Sequence, residues 1–314
     1  MGAGGRTGAR RLACCAVPEL PEVETIRRHL APQVEGRALT ALEVIDARWT
    51  LPLTPEALGE AVAGRRVERL SRRGKYLVWE LESEVFLIVH LRMTGTLLLD
   101  PGTAPAHSRV SFVLDDGAHR VVFVDPRRFG TGELAIGSAA AKEFFDARLG
   151  LEPFDPAFTG RRLRELTRHS RAPVKALLLD QRRIAGVGNI YADEALFRAE
   201  IHPLRRGDRL TLRQCERLRD AVVASLSAGI EAKGATIDDF RHPDGVQGSF
   251  QDQFLVHRRE GRPCPTCERP IRKLRAAGRG TYVCESCQPK PRLAPYAAAA
   301  SSSKRPVRSA AESS

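Results

Sequence analysis

Four of the seven cysteines stand as Cys264-x2-Cys267-x16-Cys284-x2-Cys287 near the end of a 314-residue chain. No other feature limits the fold as tightly. Two CxxC knuckles separated by a hairpin-length segment bring four thiolates to one point, the arrangement of a structural zinc site. Four thiolates fill a tetrahedral shell, so one structural Zn2+ per chain is expected, with no open position for chemistry. A pair of disulfides is the alternative. The paired knuckles disfavour it, and so does the N-terminal segment. There two arginines precede only six apolar residues, LACCAV, too few for the centre of an export signal. A cytoplasmic chain is expected. Cys215 falls on a helical apolar stripe and reads as core, and Cys14 and Cys15 receive no role.

No apolar run reaches the ~18 residues of a membrane-spanning helix. With 42% hydrophobic residues the chain can build a substantial core. The net charge of +12 points to a polyanionic partner, nucleic acid first. Much of that charge lies at the ends. Residues 1–17 carry three arginines and no acid, and residues 288–314 carry five basic side chains against Glu312. Both ends have the composition of solvated tails. Residues 18–150 hold 17 basic and 19 acidic side chains, whereas 151–287 hold 25 and 18. The basic surface of the folded part therefore belongs to its second half.

Between about residues 66 and 136, apolar runs recur at roughly ten-residue spacing: YLVWEL, VFLIVHL, TLLL, VSFVL and VVFV. Asp115-Asp116-Gly117 separates the last two as a hairpin turn. This pattern predicts an antiparallel sandwich or barrel. A helix precedes it, with Val23, Ile26 and Leu30 on one face. After Gly150 helices are predicted over 160–170, 173–183, 190–200 and 211–232. The last carries Leu212, Cys215, Leu218, Val222, Leu226 and Ile230 at spacings of three and four. The fold class expected is α+β and multidomain. Residues 1–17 form an unstructured extension, 18–149 a β-sandwich with a leading helix, and 150–240 a helical DNA-binding domain. Residues 241–290 form a loop and the zinc hairpin, and 291–314 a disordered basic tail.

Pro18-Glu19-Leu20-Pro21-Glu22-Val23-Glu24-Thr25 resembles the mature N-terminus of the formamidopyrimidine-DNA glycosylases, bacterial enzymes that repair 8-oxoguanine. Further similar segments follow in order: RRGKYL (72–77), HLRMTG (90–95), DPRRFG (125–130), GVGNIYADEALF (186–197) and the four-cysteine finger. The resemblance spans about residues 18–290. It implies a helix–two-turns–helix module in the helical half and damaged double-stranded DNA as partner, met by a single copy of the chain. It also implies excision of oxidised purines with AP lyase activity by β,δ-elimination.

The same resemblance implies roles for individual residues. Pro18 would be the nucleophile, because a terminal secondary amine forms an iminium ion with C1′ of the damaged nucleotide. Glu19 would be the acid that protonates the opening sugar. Glu22 is similar to a second carboxylate near the site, and first-turn helix electrostatics explains it equally well. Lys75 would touch the lesion phosphate and assist β-elimination. Met93, Arg127 and Phe129 would fill the space left by the extruded base. His107, Arg171, Lys175 and Asn189 would contact DNA, Asn189 from a backbone phosphate cradle at a helix start. Arg279, at the tip of the zinc hairpin, would grip the phosphates flanking the lesion and serve δ-elimination.

Several positions depart from the family pattern. Sixteen residues and Val17 precede Pro18, and an acylated proline nitrogen is no nucleophile. The expectation is that Val17 marks a GTG start whose initiator methionine is removed; proteolysis is a second route. The frequent VYGR segment is Val256-His257-Arg258-Arg259, a frequent loop tyrosine is Ser249, and a lysine expected ahead of Lys175 is Ser170. Two alternatives remain: an enzyme of the endonuclease VIII type acting on oxidised pyrimidines, and a non-catalytic DNA-binding protein.

Overall fold

The computed structural model describes residues 18–236 and 248–291. The expected N-terminal extension, Cys14, Cys15, most of the loop at 241–250 and the tail beyond 291 lie outside the described residues.

Helix α1 (Leu20–Val34) opens the fold with Pro21 in its first turn, where a missing N–H is no loss. Val23, Ile26 and Leu30 are fully buried and pack into the core of the β half. Leu20 packs instead with the helical half. One helix is therefore shared by two cores, which the single apolar face in the sequence does not reveal.

Eight strands follow: β1 (Ala38–Val44), β2 (Arg65–Arg73), β3 (Tyr76–Leu81), β4 (Val85–His90), β5 (Thr96–Leu99), β6 (Ser108–Leu114), β7 (His119–Val124) and β8 (Thr131–Ile136). They pair antiparallel in the order β5-β7-β6-β1-β2-β3-β4-β8. β1 and β2 pair only at Ala38–Arg66 and Leu39–Arg65. The ribbon turns at this short seam into two layers. Trp79 of β3 stacks on Phe112 of β6 between them, ring centroids 4.7 Å apart. The Asp115–Gly117 turn joins β6 to β7 as a short 3-10 segment.

β2 escapes a hydrophobicity reading because five of its nine residues are arginine. A bulge between Val67 and Arg69 breaks the two-residue period, so Val67 and Leu70 both reach the core. Two short helices, α2 (Pro55–Val62) and α3 (Ser138–Asp146), are additions to the predicted elements.

The helical half contains α4 (Gly160–Thr167), α5 (Val174–Leu179), α6 (Asn189–Arg198) and α7 (Leu212–Glu231). Cys215, Leu218, Val222 and Leu226 of α7 are buried as their spacing predicts, whereas Leu212 is 44% exposed at the helix start. α5 stops short of residue 183. Asp180 turns extended, and Gln181 then holds the next loop, donating to Val187 O at 2.8 Å and accepting from Gly186 N at 2.9 Å. Strands β9 (Arg272–Ala276) and β10 (Arg279–Val283) form the C-terminal hairpin. No described helix is long and apolar enough to cross a membrane.

Candidate active site

The loop Gly186–Asn189 delivers the start of α6 directly onto Glu19. The Glu19 carboxylate accepts from Ile190 N at 2.9 Å and Tyr191 N at 3.4 Å. This corrects the cradle expectation in one respect. Two of the unpaired N–H groups at this helix start are taken by the chain's own carboxylate, which also meets the positive end of the helix dipole. Gly188 is required for this contact: a Cβ there would lie 2.1 Å from Glu19 Cδ.

Glu22 lies one turn further along α1, fully enclosed. It accepts from Tyr191 Oη (2.8 Å), Ala235 N (2.8 Å) and Glu19 N (2.9 Å). Burial, and then the neighbouring Glu19 charge, push its pKa up to about 7. Burial likewise raises Glu19, against the opposing pull of Lys75 and the two α6 amides. Lys75 shifts the other way: burial lowers it and Arg279 adds to the effect, while Glu19 and Glu22 oppose it. Carboxyls shifted up and an amine shifted down, each within reach of the other's charge, are the pattern of acid–base chemistry.

A cleft of about 470 Å³ brings Glu19, Lys75 and Arg279 together. Glu19, Lys75, Met93, Asn189 and Arg279 all line it. Arg279 stands exposed at the start of β10, and Asn189 Nδ2 donates to Gly280 O at 3.2 Å, tying the α6 start to the hairpin tip. Pro18 is buried immediately before Glu19. Sequence reasoning missed His90, Gln181, His257 and Tyr282 in the same walls.

Arg127, Phe129 and His107 do not line the cleft. They project around a separate loop organised by Asp125, which is fully buried. Asp125 accepts from the Thr94 hydroxyl and from Arg127 N (3.1 Å), Phe129 N (2.7 Å) and Gly130 N (2.8 Å). With its backbone so pinned, the loop presents Phe129 49% exposed, the Arg127 guanidinium 5.0 Å from the ring centre. Thr94 is next to Met93, so this residue of the cleft and the aromatic loop share one anchor. His107 is exposed, and its carbonyl accepts from Asp125 N at 3.1 Å.

Lys175 is placed differently from its expected DNA contact. Its side chain is wholly buried, with Nζ 2.6 Å from Asp193 and 2.7 Å from Thr281 Oγ1. A buried ammonium must stay paired, and this one is a strut between α5, α6 and the hairpin. Asp193 also takes His257 Nδ1 at 2.9 Å and Tyr282 N at 3.3 Å. Its neighbour Glu194 accepts from the backbone N–H of Leu255, Val256 and His257. Two adjacent acids inside the apolar run NIYADEALF were the available signal, since acids are seldom fully buried without partners. Arg171 is exposed just before α5 and lines no part of the cleft.

The sulfurs of Cys264, Cys267, Cys284 and Cys287 all lie within 4.8 Å of one another. Tetrahedral zinc with Zn–S near 2.3 Å requires sulfurs about 3.8 Å apart. The Cys264–Cys287 separation is 3.8 Å and Cys267–Cys284 is 3.4 Å. The four thiols fit one zinc ion that closes the hairpin.

Sandwich, helical module and zinc hairpin around one acid-lined cleft define a three-part architecture that known families share. Residues 17–132 match the model of the formamidopyrimidine-DNA glycosylase N-terminal domain, 149–241 that of the formamidopyrimidine-DNA glycosylase H2TH domain, and 261–290 the zinc finger found in FPG and IleRS. A formamidopyrimidine-DNA glycosylase of Chloroflexus aurantiacus is 44% identical over 274 residues, covering 87% of this chain and 98% of that protein. The crystal structure of the MutM (Fpg) protein of Thermus thermophilus superposes with a TM-score of 0.79 at 42% identity, over 88% of this chain and all of that one. A wild-type Lactococcus lactis Fpg in complex with N7-benzyl-Fapy-dG containing DNA gives 0.80 at 35% identity, over 87% of this chain and all of that one. The chain belongs to the formamidopyrimidine-DNA glycosylase family.

Proposed function

We propose that this chain excises oxidised purines from duplex DNA and then cleaves the abasic site by β,δ-elimination. The observation that carries the reading is the Glu19 carboxyl. It follows Pro18 directly, has its proton affinity raised by burial, and shares one cleft with Lys75, Asn189 and Arg279. The Pro18 nitrogen attacks C1′ as the glycosidic bond breaks, and the proton given up by that amine leaves with the base. Glu19 gives its proton to the ring oxygen as the sugar opens to an iminium. Lys75 and Arg279 hold the flanking phosphates, which leave in turn during β- and δ-elimination. Met93, Arg127 and Phe129 occupy the gap behind the extruded base. Arg171 and His107 contact the backbone further out. The purine preference is supported by Leu20 in PELPE, where the endonuclease VIII type more often has PEGPE, together with Met93 and Phe129. The enzyme acts as a monomer in the bacterial cytoplasm, where its substrate lies.

The reading needs a free amine at Pro18, because an acylated nitrogen has no available lone pair. Protein whose first residue is Pro18 is expected to give a covalent adduct with 8-oxoguanine duplex under borohydride. Pro18→Gly and protein still acylated at Pro18 are expected to give none. No adduct from the processed protein would leave a binding role only. Faster excision of thymine glycol than of 8-oxoguanine would move the activity to oxidised pyrimidines.

A further inference from the structure

Lys75 reaches the cleft from a turn whose shape is set by charges outside that cleft. Gly74, just before it, has φ +57, and a Cβ there would meet Leu149 at 3.1 Å. Both polar atoms of Gly74 are held by side chains. Its N–H donates to Glu152 Oε1, and its carbonyl accepts from Arg72 Nη1 at 2.9 Å. The same Arg72 guanidinium meets Glu152 at 3.1 Å and Glu24 at 3.3 Å. Each of the three side chains is only 11% exposed. They come from three places: Glu24 from α1, Arg72 from β2, and Glu152 from the segment after the sandwich. That segment is bound in turn to the strand of chain entering the Gly186–Asn189 loop, through Leu151 N to Arg183 O (3.1 Å) and Ala185 N to Leu151 O (2.8 Å).

We infer that Glu152 is a positioning residue for elimination. With Arg72 it locks the Gly74 peptide, and so fixes where the Lys75 ammonium stands relative to Glu19 and Arg279. A neutral residue at 152 leaves Arg72 half-paired and frees the peptide to rotate. A glycine in the left-handed region has several other conformations open to it. The clamp also joins the two halves of the protein at the turn, so the Lys75 turn and the α6 loop are set by one shared anion. The assignment of Lys75 to elimination rests on the function proposed above; the placement of the turn does not.

Two measurements separate these. In active enzyme, Glu152→Gln is expected to slow single-turnover cleavage of an abasic duplex about tenfold. Its Kd for a tetrahydrofuran-site duplex should change less than threefold. In a Lys75→Ala background the same change is expected to cost less than twofold, because its route of action is already gone. Arg72→Lys, which keeps the charge and loses the fork, should behave like Glu152→Gln and serves if that variant folds poorly. Additive losses with Lys75→Ala, an equal loss of binding and rate, or no loss overturn the inference. The second measurement needs no activity: 13C-methylated Lys75 is titrated by NMR. Its amine faces Glu19, Glu22 and Arg279, with His90 in the same wall. Burial lowers its proton affinity, so a released turn is expected to move the titration upward in Glu152→Gln. An unmoved titration also overturns the inference, whereas an inactive parent protein with a shifted titration counts against the lyase reading alone.

Discussion

Glu19 and Glu22 show how much of this site depends on what surrounds two carboxyls. As residues of a helix start they would be ordinary first-turn acids. In the folded chain Glu19 caps α6 and Glu22 joins Tyr191 to Ala235. Glu22 carries a consequence for stability. Its pKa rises on folding from 4.5 to about 7. The native state therefore holds a proton that the unfolded chain has lost. Stability from this group is complete below about 4.5 and falls as pH rises to about 7, by about 3 kcal/mol. Glu22→Gln should add a constant offset and remove that part of the slope. Urea unfolding of both proteins at pH 5 and pH 8 checks it; equal slopes would contradict the assignment. The sequence named Glu19 and Glu22 but showed neither partner, because Ile190, Tyr191 and Ala235 are about 170 to 215 positions away.

Among the elements, the zinc hairpin was the most legible and the most dependent on help. Its cysteine spacing alone predicted both knuckles and the strands between them. Its apolar cluster is small: Phe197, Val256, Cys264, Ile271 and Cys284 are the buried members, and two of these are metal ligands. A core of that size does not hold a hairpin without the metal. Chelation of zinc is expected to raise Kd for a tetrahydrofuran duplex at least about tenfold, read by fluorescence anisotropy. Unchanged binding after verified zinc loss would remove the phosphate grip assigned to Arg279. The strands β1 and β2 were less legible. β2 hides its two inward residues behind a bulge and lines its outer face with arginines matched to acids across the sheet, as in Arg69–Glu80 at 2.9 Å. Loop 125–130 was legible as a motif, yet its organiser Asp125 was not. Nothing in the local sequence says that one aspartate will take three backbone amides.

For the molecule as a whole, charge and architecture divide together. The acidic-leaning half supplies Pro18, Glu19 and Lys75, and the basic half supplies the α6 start, the hairpin and Arg279. Binding that depends on phosphate contacts weakens with salt, because releasing counterions into a more concentrated solution gains less free energy. Each neutralised phosphate contributes roughly −0.9 to the slope of log K against log salt, so Lys75, Arg171 and Arg279 together predict a slope near −3. A flat dependence would argue against all three. Lys175 is left out of that count, because it is consumed inside the protein by Asp193 and Thr281.

The sequence by itself determined the zinc site, the sandwich-then-helices order, the N-terminal motif and five of the cleft's members, Glu19, Lys75, Met93, Asn189 and Arg279. These rest on local spacing, on periodicity, or on segments long enough to be recognised. Only the tertiary structure decided that Glu19 caps a helix about 170 residues away, that Lys175 is a buried strut, and that Asp125 and Glu152 hold the loops carrying Phe129 and Lys75. A carboxylate's partner is chosen by burial and by which backbone amides the fold leaves unpaired, and neither is a property of the residues beside it.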